Sequence, residues 1–81
     1  MKTKSLINAL KKANLKIESN DNGQSWVKAN GRVLSWYDQD GRVICLHCRR
    51  ENDHTDLMTD YHAGFYVSTI KRALEYVSQG A

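Results

Sequence analysis

Cys45-Leu46-His47-Cys48, with His54 and His62 downstream, is the set of side chains best suited to chemistry in this chain. Zinc takes thiolate and imidazole ligands, four in a tetrahedron, and a C-x-x-C knuckle supplies two of them. A knuckle needs a turn to converge its thiols. Here the pair lies in a run that reads as a strand, which sends Cys45 and Cys48 to opposite faces, and the nearest glycine, Gly41, comes before it. No metal site is expected, and the two thiols read as small hydrophobes. Redox use fails on the same ground, because a reactive C-x-x-C needs a helix N-terminus to lower a thiol pKa. Cys45 or Ser35 with His47 and Asp60 supplies the residue types of a hydrolytic set, but no nucleophile elbow surrounds them. The five glycines are scattered through turns, not gathered into a phosphate loop. The chain is therefore expected to be no enzyme and to carry no cofactor.

Binding is the stronger reading. Trp26, Lys28, Val33, Tyr37 and Arg49 mix aromatic and basic groups on what reads as one sheet face, and Arg50 stands beside them. Bases stack on aromatic rings while Lys and Arg hold phosphates. The candidate partner-binding residues are Trp26, Lys28, Tyr37, Arg49 and Arg50. Against this, the recognisable aromatic strand motifs of RNA-binding sheets are missing. The plain structural alternative packs Trp26 and Tyr37 under a helix or across a dimer. A helix-turn-helix is excluded, since the whole sheet separates the two helical segments.

The elements that must position these groups can be read from periodicity. Leu6, Ile7 and Leu10, with Ala9 and Ala13, follow helical spacing and predict a helix over 3–14, with Thr3 as its cap and Asn14 at its exit. Residues 15–19 read as a short strand, and Asn20-Asp21-Asn22-Gly23 is strong turn chemistry. Residues 25–29 and 32–37 form a hairpin about Asn30-Gly31, whose type I′ turn needs φ > 0 twice. A second hairpin leads into a strand over 42–50. A three-residue loop, Gln39-Asp40-Gly41, would set Trp36 opposite Ile44 and Leu34 opposite Leu46. Val27, Leu34, Trp36, Ile44 and Leu46 then share the core face, with Trp26, Val33, Tyr37, Val43, Cys45 and His47 opposite. So many apolar groups on a second face imply a covering helix or an interaction surface. Residues 51–67 read as an irregular loop pinned by Tyr61, Phe65 and Tyr66. A last helix over 68–78 carries Ile70, Ala73, Leu74 and Val77 on one stripe, with Ser68 as cap and Gly80 as its end. The order predicts an α+β fold: helix, antiparallel meander of three to four strands, C-terminal helix, both helices on one sheet face.

At 81 residues there is room for one domain spanning 1–81, with a small core. No run of about 18 apolar residues predicts a membrane span. The basic start lacks an apolar stretch and a cleavage site, so no signal peptide is expected. That points to the cytoplasm, with Cys45 and Cys48 as free thiols. Lys and Arg number 12 against nine carboxylates, a net charge of +3, which permits nucleic-acid contact without demanding it.

Asp56-Leu57-Met58-Thr59-Asp60-Tyr61-His62-Ala63-Gly64-Phe65, followed by Thr69-Ile70-Lys71-Arg72-Ala73-Leu74, resembles one of the large polyvalent protein-associated domains. These are small modules of phage and conjugative-element proteins. Their pattern has an arginine-rich strand, a Ser/Thr-Asp-Tyr-Phe-x-Gly segment and a helix with an Ile-x-x-Ala core. Arg49-Arg50 fits the first, Thr59, Asp60, Tyr61 and Gly64 the second, and Ile70 and Ala73 the third, with His62 in place of the usual Phe. The likeness covers roughly residues 42–78. It implies a non-enzymatic accessory protein of phage or mobile-element origin that binds a host or DNA-processing protein, and it implies no catalytic residue. The alternative is a nucleic-acid-binding module using the basic, aromatic sheet face. Read physically, Asp60, Tyr61, Gly64 and Phe65 need only shape and anchor a loop.

Overall fold

Two tight turns set the register of everything else. In the computed structural model, which describes residues 1–52, 55–56, 61–62 and 64–79, Asn30 and Gly31 adopt φ values of 55° and 73°, and Asp40 and Gly41 values of 51° and 85°. Both are two-residue turns of the I′ kind, whose twist matches the strands they join. They link β2 (Gln24–Ala29) to β3 (Arg32–Gln39) and β3 to β4 (Arg42–Arg50). β1 (Glu18–Ser19) flanks β2, and β7 (Phe65–Tyr66) flanks β4, giving an antiparallel sheet of order β1-β2-β3-β4-β7. β5 (Thr55–Asp56) and β6 (Tyr61–His62) form a separate two-stranded pair.

The β3–β4 hairpin departs from the sequence reading in an instructive way. The loop has two residues, with Gln39 opposite Arg42 and Tyr37 opposite Ile44. A bulge then intervenes, and beyond it Ser35 faces His47 and Leu34 faces Cys48. Cys45 sits in the bulge at φ 53°. The extra residue reverses the alternation of β4 at one point. Ile44 is therefore exposed and Val43 packs against the core, the reverse of the three-residue-loop register, while Leu46 and Cys48 return to the core. The two-residue loop alone would have turned Ile44, Leu46 and Cys48 all outward; the bulge returns Leu46 and Cys48 to the core and leaves Ile44 outside.

α1 (Thr3–Lys12) and α2 (Ile70–Ser78) lie on one face of the sheet. Leu6, Leu10, Ala73 and Val77 meet Val27, Leu34, Trp36, Leu46 and Cys48 in a single buried cluster. The expected α+β architecture with both helices on one face is what forms. The fifth strand comes from the segment read as irregular. Both helix starts are shifted. Lys2 occupies the N-cap of α1 without a side-chain bond, and Thr3, inside the first turn, donates from Oγ1 to Asp38 Oδ1. At α2 it is Thr69, not Ser68, that caps, accepting from the Arg72 N–H at 3.2 Å. Asn14 ends α1 as expected, at φ 61°, while the Leu15 N–H reaches the Leu10 carbonyl and the Asn14 N–H that of Lys11. No helix among the described residues is long and apolar enough to cross a membrane.

The outer edge of β4 is largely covered. Val43 donates to the Met1 carbonyl at one end, and β7 pairs with His47 and Cys48 at the other. Gly64 makes the second contact possible. Its φ is 90°, and a Cβ there would stand 2.1 Å from the Cys48 carbonyl oxygen.

Candidate nucleic-acid interface

The register places five side chains in one row across the sheet, on the side away from the helices. Glu18 pairs with Trp26, Trp26 with Ser35, Ser35 with His47, and His47 with Tyr66. Paired residues share a face, so each of the five strands contributes one member. Beside this row runs a second, Lys28–Val33–Arg49, and on its other side a third, Gln24–Tyr37–Ile44. Among the described residues no helix covers these rows. Their strand positions, with Arg42 and Gln39 at the hairpin end, carry three cations and one carboxylate.

Each part of the face has a physical cause. The Trp26 indole N–H donates to Glu18 Oε2 at 3.0 Å, which fixes the ring and engages the one carboxylate of the row. The His47 and Tyr66 rings lie 5.1 Å apart, tilted by 58°, an ordinary attractive aromatic geometry. Val33 is 2% exposed although it lies on this face, between its register neighbours Lys28 and Arg49. Arg49 donates from Nη1 to the carbonyls of Arg50 and Glu51, neutral acceptors that steady the guanidinium. Between Trp26 and His47 stands only the small Ser35. A depression of about 320 Å³ on this face is lined by Val33 and Ser35 together with Asn20, Gln24, Trp26, Lys28, His47 and Arg49.

Of the expected partner-binding residues, Trp26, Lys28, Tyr37 and Arg49 share this face. Arg50 does not. It pairs with Arg32, whose side chain bonds to α2, and so belongs to the helical side. The strand alternation puts His47 on this face but does not mark it as a site residue, and nothing local in the sequence marks Ser35, Arg42 or Tyr66 in this role. Tyr66, a loop anchor on the sequence pattern, is 63% exposed. Its role emerges only from the β4–β7 pairing. Of the loop motif, Phe65 packs edge-on against Tyr76 at 5.2 Å and Gly64 serves the backbone contact already described. Tyr61 lies in β6, and Asp60 and His54 fall outside the described residues, as does Gly80.

The thiols are separated by environment. Cys45 is exposed at the bulge and Cys48 is fully buried. Burial pushes the Cys48 thiol up to about 11, with the positive charges of Arg32 and Arg72 acting in the opposite direction. A thiol held protonated is a poor nucleophile and a poor metal ligand. Among the described residues no three Cys, His, Asp or Glu side chains converge as a metal site would require. Comparison with known proteins yields no match to a family model, a curated protein or a solved structure.

Proposed function

We propose that this protein is a non-enzymatic binding module, an accessory protein of the phage and mobile-element kind, and that it takes up nucleic acid on its open sheet face. The observation that carries this reading is the pairing of a row bearing Trp26, His47 and Tyr66 with an adjacent row bearing Lys28 and Arg49. Aromatic rings offer every base a stacking surface, and cations two residues along the same strands stand where a backbone would carry its charge. Fluorescence anisotropy of labelled DNA and RNA, titrated at about 50 and 200 mM salt, tests it. Affinity should fall as salt rises, and Lys28→Glu with Arg49→Glu should abolish binding without altering the fold. Salt-independent affinity, or none, refutes it.

A second reading, a protein partner docked on the same face, draws on a different observation. Tyr37 and Ile44 are register partners and are 37% and 38% exposed, an apolar pair beside the bulge. Under that reading polynucleotides do not bind, and Tyr37→Ala with Ile44→Ser, not the lysine and arginine changes, removes the partner.

A further inference from the structure

We infer that the nucleic acid bound here is single-stranded and runs across the strands, with one base seated over Ser35 between Trp26 and His47. This deepens the nucleic-acid reading and rests on it. Three features lead to it.

The first is the direction of the rows. Trp26, Ser35, His47 and Tyr66 are aligned by register perpendicular to the strands, and Lys28 and Arg49 lie on one side only. A polymer whose phosphates follow the Lys28–Arg49 row has its bases directed at the aromatic row. From Trp26 to Tyr66 is three strand spacings, about 14 Å, the span over which sheets that bind single-stranded RNA stack two or three bases. Glu18, held by the Trp26 indole at the β1 end, repels a backbone shifted onto the aromatic row.

The second is the gap. Ser35 separates two ring-bearing positions and leaves the 320 Å³ depression open above it. A duplex keeps its bases stacked inside and cannot fill such a gap; an unpaired base can. Ser35, Gln24 and His47 supply hydrogen-bonding groups at its walls and floor.

The third is the shape of the charge. Lys28 and Arg49 lie at one edge of the face and Arg42 beyond the Tyr37–Ile44 pair at the other, so the middle is aromatic and apolar, whereas duplex binding calls mainly for phosphate contacts.

The test uses the intact protein, an oligothymidylate of about eight nucleotides and a duplex of about equal length. The single strand should bind at least about tenfold more tightly than the duplex, with a log–log salt slope near −1.4 for two phosphate contacts. Trp26→Ala should weaken it about tenfold. Ser35→Leu, which fills the gap on the exposed side of the sheet, should do the same while thermal unfolding stays unchanged. Trp36 is buried at 1% exposure, so quenching of the tryptophan emission on binding reports Trp26 in the unaltered protein. Equal affinity for duplex and single strand, with no quenching and no effect of Ser35→Leu, overturns the inference but leaves the nucleic-acid reading standing. Absence of salt-sensitive binding to either probe overturns both.

Discussion

Asn30 Nδ2 donates to the carbonyl oxygen of Val77 at 2.7 Å, so the turn that reverses β2 into β3 also closes the C-terminal end of α2. Arg32, just past that turn, completes the closure. Its Nη1 bonds to the Tyr76 carbonyl at 2.8 Å and its guanidinium lies 4.3 Å from the centre of the Tyr76 ring. The last carbonyls of a helix have no partners within it, and a cation there also meets the negative end of the helix dipole. A two-residue turn thereby locks the C-terminal helix onto the centre of the sheet.

Two substitutions separate the roles of Asn30. Asn30→Gly keeps the φ of 55° accessible and loses only the bond to Val77. It should cost about 1 kcal/mol. Asn30→Ala loses the bond and also forces an alanine into the left-handed region, so it should cost about 1–2 kcal/mol more. Urea unfolding at constant m-value checks both. Equal costs would mean that the turn geometry contributes nothing.

Gly64→Ala should detach β7 from β4. The new Cβ meets the Cys48 carbonyl oxygen at 2.1 Å, a backbone atom that cannot swing aside, and φ is 90°. The register pairs His47–Tyr66 and Cys48–Phe65 would be lost, and Tyr66 would leave the aromatic row. Amide exchange of Val67, whose N–H bonds to the Leu46 carbonyl, should rise by at least tenfold. Exchange unchanged from the parent would refute this account of the glycine.

The fold was legible where local chemistry decides it, and illegible where a single long-range event does. Asn30-Gly31 announces its hairpin, and the stripes of Leu6 and Leu10 and of Ala73 and Val77 announce two helices packed on one face. What could not be read was the bulge at Cys45. No glycine or asparagine marks it, and a cysteine at φ 53° carries no local signal. The faces of Val43 and Ile44 were exchanged for that reason. Tyr66 was missed because β7 is two residues long and depends on β4 for its existence. The Trp26–Lys28–Tyr37–Arg49 face survived both errors, since its β2–β3 part follows from the Asn30-Gly31 turn and the bulge returns Arg49 to it.

Stability should decline in alkali through Cys48. The folded thiol is pushed up to about 11 from an ordinary value of 9.0. Between those pH values the unfolded chain releases a proton that the folded chain keeps, so unfolding gains and stability falls as pH rises. Below pH 9 the contribution is fully present. Its total, for a shift of about two units, is about 2–3 kcal/mol. The stability gap between the parent and Cys48→Ala should narrow from pH 9 to pH 11, as measured by denaturant unfolding at each pH. In the same range a maleimide should label Cys45, which is exposed, well ahead of Cys48. A gap that stays constant would show that the thiol titrates alike in the folded and unfolded states.

The bulge itself can be tested by three changes at one position. Cys45→Gly relieves a side chain held at φ 53° and should stabilise the protein by up to about 1 kcal/mol. Cys45→Val puts a β-branched residue into the same conformation and should cost about 1–3 kcal/mol. Deleting Cys45 is different in kind, because it removes the residue that the bulge adds. Tyr37 then stays opposite Ile44, Leu46 falls opposite Trp36, and His47 and Cys48 stay opposite Ser35 and Leu34. Core and binding face keep their sides, so the deletion should retain cooperative urea unfolding and nucleic-acid affinity. Loss of both would mean that the bend the bulge puts into β4 is itself required by the fold.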